Sequence, residues 1–253
     1  MTRAPTSAPA SALARVARAG TRATRRGMSE SPRGRTRTRA SAPSVLVPIA
    51  TGVEEMETVI IVDVLRRAGA RVTIASVGEA AETETWVECS RGVRIAADAR
   101  LGDVAETETF DMIALPGGMP GATNLAKCAV LTRALERQLE RQKTVAAMCA
   151  SPGVVLAPRG FLDGRACTAH PAFVKDLPSD ASAEGRVVID GDVITSRGPG
   201  TAIEFALALV ERLFGAEKAR EVAGPMVLPQ HADRTRVANE WRLDDATVLE
   251  SGS

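Results

Sequence analysis

The strongest constraint on this chain is an alternation of two hydrophobic periods. From residue 44 onward, short aliphatic and β-branched runs alternate with stretches whose apolar residues recur at helical spacing. That alternation is the signature of a parallel sheet whose crossover helices cover both faces. Ser44–Ile49 is expected as the first buried strand. Glu54–Ala68 is expected as the helix after it, with Met56, Val59, Ile60 and Val64 at helical spacing and Gly69 as its stop. Arg71–Val77 reads as the second strand. Trp86–Cys89 and Val93–Ala96 read as a small hairpin added to the sheet. Asp111–Leu115 is a strand that stops at Pro116-Gly117-Gly118, Leu131, Leu135 and Leu139 mark the next helix, and Thr144–Met148 is another strand. Arg186–Ile189 and Val193–Ser196 flank Asp190-Gly191, a type I′ hairpin signal. Thr201 with Glu204 reads as a capping box opening a helix that runs to Gly215. No segment repeats, so the expectation is a single α/β domain over residues 44–228.

Charge divides the chain differently. Residues 1–43 hold ten arginines against Glu30, a net +9, which leaves −8 on the remainder. This Arg-, Ser- and Ala-rich segment has too little apolar surface to fold alone. Its composition fits a mitochondrial or chloroplast transit peptide, and the lack of a continuous apolar run argues against secretion. The alternatives are a nucleic-acid-binding arm, or a start at Met28 that leaves a cytoplasmic protein. The acidic body would repel phosphate backbones, so nucleic acid is not an expected partner of the mature domain. Residues 229–253 are a polar extension that can dock through Trp241 and Leu243.

Several function classes drop out. The most hydrophobic stretch, Ile203 to Phe214, is broken by Glu204, Glu211 and Arg212, well short of the about 18 uncharged apolar residues a span requires. Cys89, Cys128, Cys149 and Cys167 form no CxxC, and His170 and His231 are the only imidazoles. Neither a metal site nor a disulfide scaffold is expected. Aromatic residues make up 3% of the chain and tyrosine is absent, which removes the stacking platforms that single-stranded nucleic acid needs.

In an open parallel sheet, ligands bind beyond the carboxyl ends of the strands. Cys149 stands there, between the strand TVAAM and the run ASPGVVL, at the apex of an expected strand-to-helix turn. A helix start would lower its thiol pKa, whereas most isolated cysteines are merely small buried residues. Gly118, after the preceding strand, and Ala150, after the cysteine, can offer backbone N–H groups to one oxyanion. Glu57, in the first helical turn and in line with Ile61 and Val64, reads either as a carboxyl raised by apolar surroundings or as an ordinary acid at a helix N-terminus. His170, after the short strand Arg165–Thr168 and before Pro171, reads as a capping or surface histidine or as an imidazole partner for the thiol.

The runs GVEEMETVIIVDVLRRAGARVT, ECSRGVRIAADA, LPGGMPGATNL, AAMCASP and TSRGPGTAIEFALALVE, with His170-Pro171, closely resemble the parkinsonism-associated DJ-one branch of the ThiJ/PfpI superfamily over about residues 44–228. The resemblance implies a flavodoxin-like sandwich that pairs as a homodimer. It also implies Cys149 as the reactive thiol, Glu57 as its protonated partner, His170 nearby, and Gly118 and Ala150 at the oxyanion. The implied activity is cofactor-independent conversion of methylglyoxal and other small α-oxoaldehydes to hydroxy acids, with deglycation as a possible second activity. The competing implication is a redox-sensing or chaperone-like dimer governed by oxidation of Cys149. Ala150 stands where protease-like members place a histidine, so a peptidase is not expected. Arg67 and Arg91 match basic positions near the dimer contact and the pocket.

Overall fold

The computed structural model describes residues 41–78, 86–178, 182, 184–228 and 239–242, and within them the chain forms nine strands and six helices. In chain order they are β1 (Ser44–Ala50), α1 (Glu55–Arg67), β2 (Arg71–Val77), β3 (Trp86–Glu88), β4 (Arg94–Ala96), β5 (Ala99–Arg100) and α2 (Leu101–Val104). There follow β6 (Met112–Leu115), α3 (Gly121–Lys127), α4 (Ala129–Glu140), β7 (Thr144–Met148), β8 (Val187–Asp190), β9 (Val193–Ser196), α5 (Ala202–Phe214) and α6 (Ala216–Ala223). Seven strands form one sheet in the order β5-β2-β1-β6-β7-β9-β8, parallel throughout except for the antiparallel β8–β9 pair. Every residue of β1, β6 and β7 is buried, which is why these segments read as continuous apolar runs. Helices α1, α5 and α6 pack together on one face, and α3 and α4 pack together on the other. Phe205, Leu46, Ile61, Leu65, Met112 and Leu115 fill the space between the layers. This is the α/β sandwich expected from the sequence.

Several local expectations are corrected. The hairpin of β3 and β4 does not join the main sheet but pairs only with itself. It is held over the end of β1 by Gly52 N–H to Glu88 O at 2.8 Å and Ser90 N–H to Val53 O at 2.8 Å. The stripe Met56, Val59, Ile60 is not the buried face of α1. Met56 and Val59 are 55% and 52% exposed, and the helix instead buries Glu57, Thr58, Ile61, Val64 and Leu65. Arg165–Thr168 is not a strand: the Arg165 N–H closes a turn on Leu162 O at 3.1 Å, and two further N–H groups find side chains rather than a ladder. Ala166 donates to Asp190 Oδ2 at 2.7 Å and Thr168 to Thr195 Oγ1 at 2.9 Å.

In the β8–β9 hairpin Asp190 pairs with Val193, so the turn residues are Gly191-Asp192. Only Gly191 has positive φ, which fits type II′ and not type I′. The Thr201–Glu204 capping box does not form. Thr201 instead accepts from Gly198 N–H at 3.1 Å, and Glu204 pairs with Arg186 at 2.6 Å. At the C-terminus Trp241 docks as expected, donating its indole N–H to Glu211 Oε2 at 2.8 Å. The basic segment up to residue 40, His231 and Leu243 lie outside the described residues.

Candidate active site

The carboxyl ends of β6, β7 and β9 stand side by side, with Leu115 opposite Ala147 and Met148 opposite Ser196. Immediately beyond β7 the chain turns at Cys149, which has φ +61°, a left-handed conformation uncommon for a side-chain-bearing residue. Two backbone bonds hold it there. Its N–H donates to Ser196 O at 2.9 Å, and its carbonyl accepts the His170 N–H at 2.9 Å. The buried Ser151 hydroxyl donates to Pro116 O at 2.6 Å and ties the elbow to the end of β6. The helix expected after the elbow is only a π-helical turn, Pro152–Leu156, followed by a 3-10 turn, Ala157–Arg159. Little helix dipole therefore acts on the thiol.

Gly117 and Gly118 are required by close approach. A Cβ at Gly117 would lie 2.5 Å from the Cys149 Cβ and 2.9 Å from the Ala150 nitrogen. At Gly118, with φ +88°, it would meet the Glu54 nitrogen at 2.3 Å. The loop is stitched to the start of α1 in both directions, by Glu54 N–H to Gly117 O at 3.0 Å and Gly117 N–H to Glu57 Oε2 at 2.7 Å. Glu54 caps α1 by accepting the Glu57 N–H at 2.7 Å.

Glu57 is fully buried, and its Oε1 has no hydrogen-bond partner. Burial raises its carboxyl to about 7, and the Glu54 charge adds to the rise, against opposing pulls from the Gly117 N–H and the Cys149 thiol. A neutral carboxyl whose Oε2 accepts the Gly117 N–H carries its proton on Oε1. Of the two readings left open for Glu57, its burial and raised carboxyl fit the first, a carboxyl raised by apolar surroundings.

The Cys149 thiol does not follow the expected lowering. Burial pushes it up to about 12, with further rises from the Glu57 charge and hydrogen bond, while the Gly118 and Ala150 N–H groups pull it down. The two shifts belong to one coupled pair. When the proton resides on Glu57, the repulsion on sulfur is replaced by a donated hydrogen bond, so a thiolate here depends on Glu57 being neutral. Gly118 and Ala150, both read as oxyanion donors, thus converge on the sulfur together with Glu57.

His170 is brought close through its backbone alone. Its Nδ1 accepts the Ala172 N–H at 3.2 Å, capping the turn Pro171–Asp176, and its ring packs edge-on against Phe173. Among the described residues no hydrogen bond joins the imidazole to the thiol. Arg67 pairs with Asp63 at 2.6 Å, and the Arg91 guanidinium donates to Ser90 O at 3.1 Å, so neither reaches the sulfur. The Gly117-Gly118 pair is legible in the sequence as a place of close backbone approach, but the Gly117 N–H bond to Glu57 is not, and Ser196 acts through a carbonyl that no side-chain pattern reveals.

Comparison with known proteins identifies the surroundings of this site. The DJ-1/PfpI family profile matches residues 43–212. Protein DJ-1 homolog B of Arabidopsis thaliana is 43% identical over 190 residues, which are 75% of this chain but only 42% of that protein. The chain therefore spans less than half the length of that relative. A Caenorhabditis elegans protein named glutathione-independent glyoxalase DJR-1.2 is 42% identical over 178 residues, 69% of this chain and 90% of that one. A solved structure described as Toxoplasma gondii DJ-1, oxidized, superposes with a TM-score of 0.71 at 44% identity, covering 75% of this chain and 100% of that one.

Proposed function

The chain belongs to the DJ-1/PfpI family, and on that premise we propose that it is a cofactor-independent glyoxalase acting on small α-oxoaldehydes through Cys149. The observation that carries the reading is the convergence on one sulfur of the Gly118 and Ala150 N–H groups and the buried Glu57 carboxyl, raised to about 7.

The thiolate adds to the aldehyde carbon of methylglyoxal, and the new C–S bond leaves an alkoxide that the Gly118 and Ala150 N–H groups stabilise. Glu57 gives its proton to that oxygen. As a carboxylate it then takes the proton from the carbon that was the aldehyde, forming an enediolate; the hydroxyl proton passes from the first oxygen to the second, and Glu57 returns the carbon-bound proton to the neighbouring carbon. The product is a lactoyl thioester, and water hydrolyses it to lactate and the free thiol. Hydrogen moves from one carbon to its neighbour, so no external oxidant or reductant is consumed. His170 assists the hydrolysis when its ring is free of the Ala172 N–H. Deglycation of early glycated amines follows from the same chemistry as a second activity.

The test is lactate formation from methylglyoxal without glutathione, comparing wild type with Cys149→Ser, Glu57→Gln and His170→Ala. Cys149→Ser is expected to abolish turnover and Glu57→Gln to reduce it by about 100-fold or more, within the range general acid–base catalysis supplies. Wild-type turnover no faster than Cys149→Ser refutes the reading. One observation favours a second reading, a redox sensor in which Cys149 is oxidised to the sulfinate: the imidazole is not hydrogen-bonded to the thiol. A sensor needs the Glu57 contact and no imidazole, so His170→Ala with unchanged oxidation and no lactate in any variant supports it.

A further inference from the structure

We infer that the C-terminal segment 239–242 is a positioning element for the nucleophile, with Glu240 as the residue that couples the two. The segment lies beyond the residues 43–212 that the family profile matches. It runs antiparallel along β8, the outer strand of the sheet, with Glu240 opposite Val188. Ile189 N–H donates to Asn239 O at 3.2 Å, and Trp241 N–H to Val187 O at 2.9 Å. Covering the outer strand protects it from edge-to-edge pairing. That task needs only backbone bonds and a polar outer face.

Glu240 does more than cover. Its side chain is 0% exposed, Oε2 accepts from the Arg242 guanidinium at 2.9 Å, and Oε1 accepts the Arg186 backbone N–H at 3.0 Å. Arg186 directly precedes β8 and is held on every side. Its guanidinium reaches Glu204 at 2.6 Å and Gly200 O at 2.7 Å, and its own carbonyl accepts from Ser196 Oγ at 2.7 Å. Ser196 is the residue whose carbonyl receives the Cys149 N–H. Three hydrogen bonds therefore run without a break from the buried Glu240 carboxylate to the backbone of Cys149, through Arg186 and Ser196. The Ser196 hydroxyl also meets Thr201 Oγ1 at 2.7 Å, which caps Gly198 beside the His170 ring. Cys149 sits in a left-handed conformation that side-chain-bearing residues seldom adopt, so its two backbone clamps decide where the sulfur points. The strap bears on one of them by holding Arg186, whose carbonyl takes the Ser196 hydroxyl.

The experiment uses the full chain carrying Glu240→Ala, Glu240→Gln or Trp241→Phe, with folding checked by circular dichroism and melting. Two readouts are taken: the rate of Cys149 alkylation by iodoacetamide, assigned by peptide mass spectrometry, and kcat and KM for methylglyoxal. Only the kinetic readout rests on the glyoxalase reading. Glu240→Ala is expected to slow alkylation and lower kcat by about tenfold with little change in KM, as for a displaced reacting group. Glu240→Gln keeps an oxygen for the Arg186 N–H and should recover to within about threefold of wild type. Trp241→Phe removes only the indole bond to Glu211 and should slow alkylation by about two- to threefold, which keeps the proposal testable if Glu240→Ala does not fold. Wild-type alkylation in folded Glu240→Ala or in Trp241→Phe overturns the proposal and leaves the strap as an edge cover. Slowed alkylation in a protein that makes no lactate refutes the glyoxalase reading and retains this one.

Discussion

Replacing Glu57 by glutamine should make the protein more stable, by an amount that grows as pH rises from about 4.5 to about 7 and then levels off. Glutamine keeps an oxygen for the Gly117 N–H and places an amide where the Oε1 proton would be. The carboxyl is raised from 4.5 to about 7 in the folded chain. A raised acid binds its proton more tightly when folded, so its contribution to stability is complete below the unfolded value and is lost as pH rises through the folded one. At about 1.4 kcal/mol per pH unit, the penalty carried by wild type is about 1 kcal/mol at pH 5 and about 3 kcal/mol at pH 8. The Glu57→Gln variant carries no such penalty, so the difference in unfolding free energy between the two should widen by about 2 kcal/mol across that interval. Groups common to both proteins cancel in the difference, and both are compared in a Cys149→Ser background, because the rise of the thiol comes partly from the Glu57 charge and hydrogen bond that the variant removes. The assay is urea unfolding in reducing buffer at fixed ionic strength from pH 5 to pH 8. A difference constant to within about 0.5 kcal/mol over the whole range would mean that Glu57 is an ordinary ionised carboxylate, and the proton inventory drawn for the site would fail.

Two further outcomes are expected. Gly117→Ala forces a methyl group against the Cys149 Cβ and two backbone atoms at 2.5–2.9 Å, none of which can swing aside. It should lower the melting temperature by about 5 °C, from about 1–3 kcal/mol of overpacking, and suppress alkylation of Cys149, whereas an unchanged melt would show that the loop can yield. Met56 and Val59 form an exposed apolar patch on α1, next to the hairpin turn that Glu55 holds through Ser90 Oγ at 2.9 Å and the Arg91 N–H at 2.8 Å. We propose that patch as the surface through which two copies of this chain pair, the homodimer being what the family resemblance implies. Met56→Glu with Val59→Lys should convert the sedimenting species from dimer to monomer, and a wild-type chain that already sediments as a monomer removes the pairing.

The elements legible in the sequence were those whose cause is local. β1, β6 and β7 are buried on both faces and therefore apolar throughout, and each stops at small or turn-forming residues. Cys149 was legible because a strand must end before a turn can begin. The orientation of α1 was not, because two stripes of that helix are apolar and periodicity cannot say which faces the sheet. The stripe containing Ile61, Val64 and Leu65 faces inward, and Glu57 is carried inside with it. The pairing of β3 with β4 alone was equally out of reach, since a three-residue strand carries no signal about which sheet it joins. The thiol was read from its own neighbourhood, a helix start, whereas its electrostatics are set by a carboxyl distant in sequence.

The site draws on chain segments far apart in order of synthesis: Glu57 on α1, Gly117 after β6, Cys149 after β7 and Ser196 at the end of β9. Contacts of such long sequence separation form late, after the local helices and the first strand pairs. Until β9 has been made and has joined β7, the elbow lacks its Ser196 clamp and the site is incomplete. On the function proposed above, the reactivity of this cysteine would be a certificate of completed folding, and a partly folded chain would be shielded from its own nucleophile by not yet having one.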